Sequence, residues 1–214
     1  MKLELVVDER PYAPGDWVRG RVEVREGGHS RRLSVSLLQR DRTADYTGVV
    51  RTIEGPELAQ GDVAAPASFE FSLQVPADAP PSYADSLGAL YWEIGAKSDE
   101  RGLDTHARHA IVVLPASRGA VPRKTHHKHS SSKGYRRLLD SLAALDGVHR
   151  VATGRVTPRM GSGRPVAPIS KVRRVESGLS ITINDSGAMI DAYVVTDRPD
   201  QVVAAMRERG WTAA

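Results

Sequence analysis

The sequence predicts an all-β sandwich followed by a small two-layer α+β domain. In residues 1–115, apolar side chains alternate with polar ones in short runs separated by turn residues, which is typical of strands with one buried face. Residues 116–134 have no apolar period and are rich in Arg, Lys, His, Ser and Gly, so we expect a basic His/Ser-rich linker there. Apolar spacing of three and four begins at Tyr135, which indicates a helix and a second unit over residues 135–214.

Apolar sets with a period of two predict the strands of the first half. Period two places each set on one sheet face, and that face must be buried against a second sheet. After the first set, residues 12–16 predict a turn, because Pro14 fixes φ and Gly15 tolerates a positive φ. The sets are Leu3, Leu5 and Val7; Val18, Val22 and Val24; Leu33, Val35 and Leu37; Phe69, Phe71, Leu73 and Val75; Leu90, Trp92, Ile94 and Ala96; and residues 111–114.

The second half predicts the element order α-β-β-β-α. A helical stripe that ends at Gly147 is followed by a strand over residues 149–157. A hairpin is expected around the turn at residues 184–187, and a last helix begins near Pro199 and ends at Gly210. The apolar positions are Tyr135, Leu138, Leu139, Leu142 and Leu145 in the first helix; Leu179, Ile181, Ile183, Ile190, Ala192 and Val194 in the hairpin; and Val202, Val203 and Met206 in the last helix.

The composition excludes several classes of protein. The chain has 214 residues and is 40% hydrophobic, which is enough for a core and excludes wholesale disorder. It has no cysteine, which excludes disulfides and thiolate chemistry and fits a reducing compartment. No run of about 18 apolar residues is present to span a membrane, and the N-terminal apolar run is too short for a signal peptide. We therefore expect a cytoplasmic protein.

Charge is divided unevenly along the chain. Residues 1–117 carry 13 Lys and Arg against 18 Asp and Glu, whereas residues 118–214 carry 17 against 8. The second half is therefore suited either to an anionic partner or to contact with the acidic first half. Only close contact would use that attraction, because salt screens charges beyond about 8 Å.

Several short sequence blocks follow one another along the first half in a characteristic order and spacing. They are Tyr12-x-Pro14-Gly15-Asp16-x-Val18-x-Gly20-x-Val22-x-Val24, Leu33-x-Val35-x-Leu37, Phe69-x-Phe71-x-Leu73-x-Val75-Pro76-x-Asp78-x-Pro80-Pro81-Ser82, and the strand with Trp92. In this succession residues 1–115 resemble the arrestin-like N-terminal sandwich of arrestins, retromer subunits of the Vps26 kind and bacterial sporulation-control proteins. The resemblance implies a scaffold that binds proteins or membrane-associated complexes and performs no chemistry. It does not extend to residues 135–214, and the buried charged core of the signalling arrestins has no match here.

No set of residues predicts catalysis, a cofactor or a metal site. Residues 161–163, Gly-Ser-Gly, lie in a Pro/Gly-rich loop and lack the strand-to-helix context of a nucleophile elbow. Asp104, His106 and His109 fall on the last strand of the sandwich. Residues 106 and 109 of a strand point to opposite faces, so the two imidazoles cannot converge on one ion.

Two short motifs have structural interpretations that we favour. His126, His127 and His129 could bind zinc or nickel loosely, but the basic residues around them repel a cation, which favours a linker. Residues 80–83, Pro-Pro-Ser-Tyr, match the PPxY pattern that WW domains bind, and they also fall within the turn that follows Val75.

The candidate binding surface of the second half is basic. If its residues share a face, phosphate oxygens of nucleic acid or of anionic lipid could neutralise them. Few aromatic side chains are available there for base stacking, so sequence-specific recognition is not expected. A solvated basic face, or one docked on the acidic sandwich, is an equal alternative. The residues are Lys133, Arg136, Arg137, Arg155, Arg159, Arg164, Lys171, Arg173 and Arg174.

These observations predict a non-enzymatic, arrestin-like scaffold or adaptor that binds a protein partner through a sheet edge or loops of residues 1–115. The resemblance implies a role in bacterial sporulation- or stress-type regulation. The alternative function is binding of nucleic acid or an anionic membrane surface by residues 118–214. A unit as small as residues 135–214 is marginal alone, which favours docking on the sandwich or a homo-oligomer.

Overall fold

Antiparallel strands dominate the computed structural model, which describes residues 1–43, 47–117, 133–158, 167–185 and 187–212. Within these ranges, no helix has the length and apolar character needed to cross a membrane. The elements are β1 (Lys2–Val7), β2 (Trp17–Glu26), β3 (Gly28–Thr43), β4 (Thr47–Val63), β5 (Ala67–Gln74), β6 (Tyr83–Asp85), β7 (Gly88–Asp99), β8 (Thr105–Ile111), α1 (Lys133–Ala143), β9 (Val148–Pro158), β10 (Ile169–Val175), β11 (Gly178–Asp185), β12 (Ala188–Thr196) and α2 (Pro199–Glu208).

Two antiparallel sheets face each other in the first half, which confirms the predicted sandwich. One sheet has the order β1-β2-β5, and the other has the order β4-β3-β7-β6, with β8 pairing with β7. Alternating side chains from both sheets fill the space between them, including Val22 and Phe71 from the first and Leu37, Trp92 and Ile94 from the second. Each such side chain contributes roughly 1.5–3 kcal/mol by leaving water, so this cluster is what holds the sheets together.

The turn over residues 12–16 forms as the sequence predicts. Gly15 has a φ of 90°, and the backbone N–H of Ala13 donates to the Asp16 carboxylate at 2.8 Å. Tyr12, the first residue of this turn, is fully buried and forms a β-bridge with Val113. The chain that leaves β8 is thereby fixed against the start of the sandwich.

The structure adds two strands, β4 and β6, to those predicted in the first half, and its last strand, β8, covers Thr105–Ile111 rather than residues 111–114. Strand β4 is 17 residues long, but its sequence contains Gly55 and Pro56, which are unfavourable in strands, and its apolar residues do not alternate. Proline lacks an N–H and is confined to edge strands, and β4 does lie at a sheet edge. Strand β6 has only three residues, too few for a period to be visible.

The second half forms the predicted two-layer α+β arrangement, with one correction. It has four strands rather than three, so the element order is α-β-β-β-β-α. The extra strand, β10, lies at the edge of the sheet order β10-β11-β12-β9. Its apolar residues Ile169, Val172 and Val175 are three apart and show no period of two, and a bulge between Ile169 and Lys171 brings Ile169 and Val172 onto the same face.

Both helices pack on one face of this sheet and end where the sequence predicts. Helix α1 places its apolar stripe on the sheet, and the chain reverses at Gly147 with a φ of 80°. Helix α2 has Pro199 in its first turn and is followed by Gly210 with a φ of 64°. Val202 and Met206 of α2 are fully buried against the same sheet face.

The C-terminal unit is docked on the sandwich. Tyr83, Ala84 and Ala89 of the sandwich belong to the same hydrophobic cluster as α1, α2 and the four-stranded sheet. The Ala84 N–H donates to Thr153 Oγ1 at 2.8 Å, and the Tyr135 hydroxyl donates to the Ala84 carbonyl at 2.7 Å. Docking was one of two outcomes expected for so small a unit. The domain boundaries stay a prediction, since most of the expected linker, 116–134, lies outside the described residues.

Candidate functional site

The longest edge strand of the sandwich, β4, has a strand neighbour on one side. Within the described ranges β4 pairs with β3 and with no other strand. Its second half approaches β5 across the corner of the sandwich, where Gly55 lies against Leu73 and Val35. Residues 47–54 therefore present a row of backbone N–H and C=O groups that no strand of the described ranges pairs with. We call residues 47–54 the β4 edge.

Two valines project from the β4 edge into solvent. Val49 pairs with Arg40 and Arg51 pairs with Gln39, so Val50 is an extra residue in a bulge. The bulge leaves Val49 and Val50 exposed by 48% and 53% respectively. Adjacent exposed valines on a strand with a free edge are a surface that another chain can cover.

The charges near the β4 edge leave one carboxylate free. Arg51 donates two hydrogen bonds to the Asp78 carboxylate at 3.0 and 3.1 Å, which holds its guanidinium against the loop after β5. Glu54 is exposed and makes no ion pair with any residue of the described ranges. The β4 edge therefore offers a partner backbone hydrogen bonds, the apolar side chains of Val49 and Val50, and the negative charge of Glu54.

The basic residues predicted as an anion site are spread over several surfaces. Lys133, Arg136 and Arg137 are exposed on α1. Arg155 belongs to β9, and the predicted residues Arg159 and Arg164 lie outside the described ranges. The sheet lies between α1 and the side chains of Lys171 and Arg173, which are on the face away from the helices. The described members therefore do not form one continuous patch. Binding of an anion stays a prediction.

The three basic residues of β10 point in two directions. Residues directly opposite each other in an antiparallel pair share a face. Arg174 lies opposite Leu179, on the helix side, and its guanidinium pairs with Asp200 of α2. Arg173 lies opposite Ser180 and therefore on the other side of the sheet, with Lys171 two residues away.

The face of the sheet turned away from the helices carries a half-buried tyrosine. Tyr193 lies opposite Ser180 on one side and Ala152 on the other. Burial raises the pKa of Tyr193, the carboxylates of Asp191 and Glu9 raise it further, and Arg173 opposes them. Glu9 belongs to the loop between β1 and β2, so one acidic residue of the sandwich does approach this part of the basic unit.

Of the remaining candidates from the sequence that the structure describes, Asp104 has an ion-pair partner. Asp104 pairs with Lys97 at 2.8 Å, and the ammonium group lowers the pKa of Asp104. His106 and His109 alternate along β8 as expected, with His106 exposed and His109 half-buried. The described ranges hold no group of three His, Asp or Glu residues that could bind a metal. Residues 161–163 and the histidines at 126, 127 and 129 lie outside those ranges.

The Pro-Pro-Ser-Tyr motif is part of the fold. Ser82 is fully buried and exchanges hydrogen bonds with Val113 at 2.9 Å through both its N–H and its hydroxyl oxygen. Tyr83 begins β6, is 3% exposed and donates its hydroxyl to Asp85. A WW domain would need these side chains on the surface, so the turn interpretation is the one that the structure supports.

Comparison with known proteins gives little further information. No family model matches the chain, and no curated protein matches it. Among solved structures, the sporulation control protein Spo0M from Bacillus subtilis is 13% identical, with 97% of this chain and 98% of that chain covered, at a TM-score of 0.39. A likeness at this level carries no argument about the role of this chain.

Proposed function

We propose that this protein is a non-enzymatic, arrestin-like scaffold whose sandwich binds an extended segment of a partner protein along the β4 edge. The main support is that no described strand pairs with the β4 edge on its outer side, where Val49 and Val50 are exposed. Backbone hydrogen bonds to an added strand supply affinity, and side-chain contacts supply selectivity. Pro56 ends the usable edge because it has no N–H to donate.

The edge favours a partner segment of particular chemistry. An apolar side chain of the partner would pack on Val49 and Val50, and a lysine or arginine would lie near Glu54. The excess of acidic residues in the sandwich would draw in a basic segment from a distance. The role in sporulation- or stress-type regulation and the cytoplasmic location, both expected from the sequence, belong to this proposal and depend on which partner is found.

Selection of short linear peptides on the full-length protein tests the proposal. Peptides enriched from a display library are measured against the wild type, V50K and the matched control L103K, which adds the same charge at a side chain that is 91% exposed on the β7–β8 turn. We expect V50K to weaken binding about tenfold, or about 1.4 kcal/mol, because lysine removes the apolar contact and repels a basic segment. We expect L103K to bind like the wild type. Amide hydrogen exchange should slow over residues 47–54 in the complex.

Two outcomes would contradict the proposal. One is equal binding of the selected peptides to V50K and the wild type, with exchange slowed at another surface. The other is a wild-type dimer in light scattering that V50K converts to a monomer. The occupant of the edge would then be a second copy of this chain rather than a partner protein.

A further inference from the structure

The C-terminal sheet has one covered face and one face without a layer of helices. Helices α1 and α2 cover the side of Leu179, Ile181 and Ile183. The pairing registers place a second set of side chains on the opposite side, which we call the outer sheet face. Its members are Arg150, Ala152, Lys171, Arg173, Ser180, Thr182, Asp191, Tyr193 and Val195.

Small residues surround the tyrosine at the centre of the outer sheet face. Ser180 and Ala152 are the direct cross-strand neighbours of Tyr193, and both are small and buried, at 6% and 0% exposure. Asp191, two residues along the strand, accepts a hydrogen bond from the Thr182 hydroxyl at 3.1 Å. The ring is half-buried, so one part of it is fixed by the protein and another part stays open to a ligand.

Basic side chains that form no ion pair with any described residue lie on both sides of this ring. Lys171 and Arg173 are exposed, lie on the same side of β10 and are about 6.6 Å apart along the strand. Within the described ranges neither makes an ion pair, whereas their neighbour Arg174 is held by Asp200 on the other side of the sheet. Arg150 lies opposite Val195, beyond the ring, and has no ion-pair partner in the described ranges either. Lys171 and Arg173 therefore follow β10 on one side of the ring, and Arg150 lies on β9 on the other side, so the positive charges do not converge on one point.

We propose that the outer sheet face binds single-stranded nucleic acid without sequence preference, with phosphates on Lys171 and Arg173 and a base stacked on Tyr193. Charges in line suit the repeated phosphates of a polyanion better than a single phosphate group. A half-open aromatic ring beside such a line is the arrangement that single-strand binders use, and it tolerates any base because every base has a flat face. A membrane surface would require projecting apolar side chains to enter the lipid, and the two neighbours of Tyr193 in its row, Ser180 and Ala152, are small and buried.

This inference does not depend on the proposed function of the β4 edge. Of the basic residues of the second half, the outer sheet face carries Lys171, Arg173 and Arg150 but not Arg174, and Tyr193 lies among them. Glu9 of the sandwich lies close enough to Tyr193 to raise its pKa, so its carboxylate opposes an incoming phosphate. We expect E9Q to bind the nucleic acid more tightly than the wild type.

Fluorescence anisotropy with a labelled oligothymidylate and the full-length protein tests the proposal. The double variant K171Q/R173Q should weaken binding at least tenfold and reduce the slope of log K against log salt by about 1.4, since about 0.7 is lost per phosphate contact. The matched control R174Q removes the same charge from the adjacent residue on the other side of the sheet, and it should bind within twofold of the wild type. Y193L should weaken binding roughly 5- to 150-fold through the loss of stacking, whereas Y193F should keep it.

The single variant R173Q should weaken binding more than R174Q does. The proposal fails if both weaken it equally, since a diffuse positive field would then explain the affinity. It also fails if the oligothymidylate does not bind while vesicles that contain phosphatidylglycerol do. Y193L could fail to fold, and its circular dichroism spectrum would show that. The comparison of R173Q with R174Q, both at exposed positions, then decides the question.

Discussion

Replacing Tyr135 with phenylalanine removes the hydroxyl that joins α1 to the sandwich. In the wild type that hydroxyl donates to the Ala84 carbonyl at 2.7 Å, and Thr153 Oγ1 accepts the Ala84 N–H at 2.8 Å. Ala84 is fully buried in the short strand β6. Two side chains of the C-terminal unit thus take the place of the strand that β6 lacks on that side.

The structure sets the expected cost. The phenylalanine ring fills the same space, so the main effect is a buried carbonyl that loses a hydrogen bond, worth about 1–3 kcal/mol. For a chain of this length each kcal/mol lowers the melting temperature by about 2–4 °C. T153V, which leaves the Ala84 N–H unpaired, should cost a similar amount. The two units share one hydrophobic cluster, so we expect Y135F to shift a single unfolding transition of the whole chain.

Urea unfolding followed by circular dichroism measures this cost. The matched control is Y91F, because Tyr91 is half-buried on β7 and its hydroxyl makes no hydrogen bond within the described ranges. We expect Y91F to lie within about 0.5 kcal/mol of the wild type. If Y135F is no less stable than Y91F, the hydrogen bond to Ala84 does not hold the units together. If the C-terminal unit instead unfolds alone in an earlier transition, the shared cluster is not cooperative.

Three further changes in stability follow from other contacts. G178A should lower the free energy of unfolding in urea by roughly 3–4 kcal/mol, because φ is 144° and the new methyl carbon would lie 2.1 Å from a carbonyl oxygen of β12. The control G61A has a φ of 87° and open space around it, and it should cost about 1–2 kcal/mol. R40M should cost about 3 kcal/mol by leaving Glu93 buried without its partner at 2.8 Å, partly compensated by Arg108 at 3.6 Å, and R40M/E93L should recover most of that loss in a double-mutant cycle. Burial raises the pKa of Tyr135 well above 10, so just above pH 10 only the unfolded chain loses this proton. The free energy of unfolding should therefore fall there by up to about 1.4 kcal/mol per pH unit, and less steeply in Y135F.

Elements that bury one face completely are the ones that the sequence predicts. Strand β7 places Trp92 and Ile94 between two sheets, and β11 places Ile181 between a sheet and two helices. In both cases alternate positions are apolar because the fold would otherwise bury polar groups. The helix stripe from Tyr135 to Leu142 has the same cause with a different period.

The strands that the sequence does not reveal are edge strands, and each candidate site includes one of them. Strand β4 is half-exposed along most of its length, so few of its positions must be apolar. Strand β10 carries a bulge and three basic residues that keep its edge soluble. An edge strand is under weak selection for a buried face, and the same exposure makes it available to a partner. The only sequence signal at β4 is Pro56, which is compatible with an edge strand and forbidden in a central one.

The basic surface shows why residue type alone does not define a site. Arg173 and Arg174 are adjacent in the sequence and identical in charge, yet the register with β11 places them on opposite sides of the sheet. The bulge at Lys171 shifts that register by one residue, so the alternation cannot be counted from Ile169. The composition of residues 118–214 therefore predicts an excess of positive charge, and strand pairing decides which of those charges face together.

The strand order also determines whether the two proposed surfaces can be occupied at once. From the β4 edge, β3 and β7 lead to β6, which contacts β9 through Ala84 and Thr153. In the second sheet β9 is followed by β12, β11 and β10. Strands β4 and β10 are therefore the two ends of the order β4-β3-β7-β6, β9-β12-β11-β10. A peptide on the β4 edge and an oligothymidylate on the outer sheet face would share no contact residue. We therefore expect saturating peptide to leave the oligothymidylate affinity unchanged within twofold. Mutual displacement would mean that both ligands bind one surface, and at least one of the two assignments would be wrong.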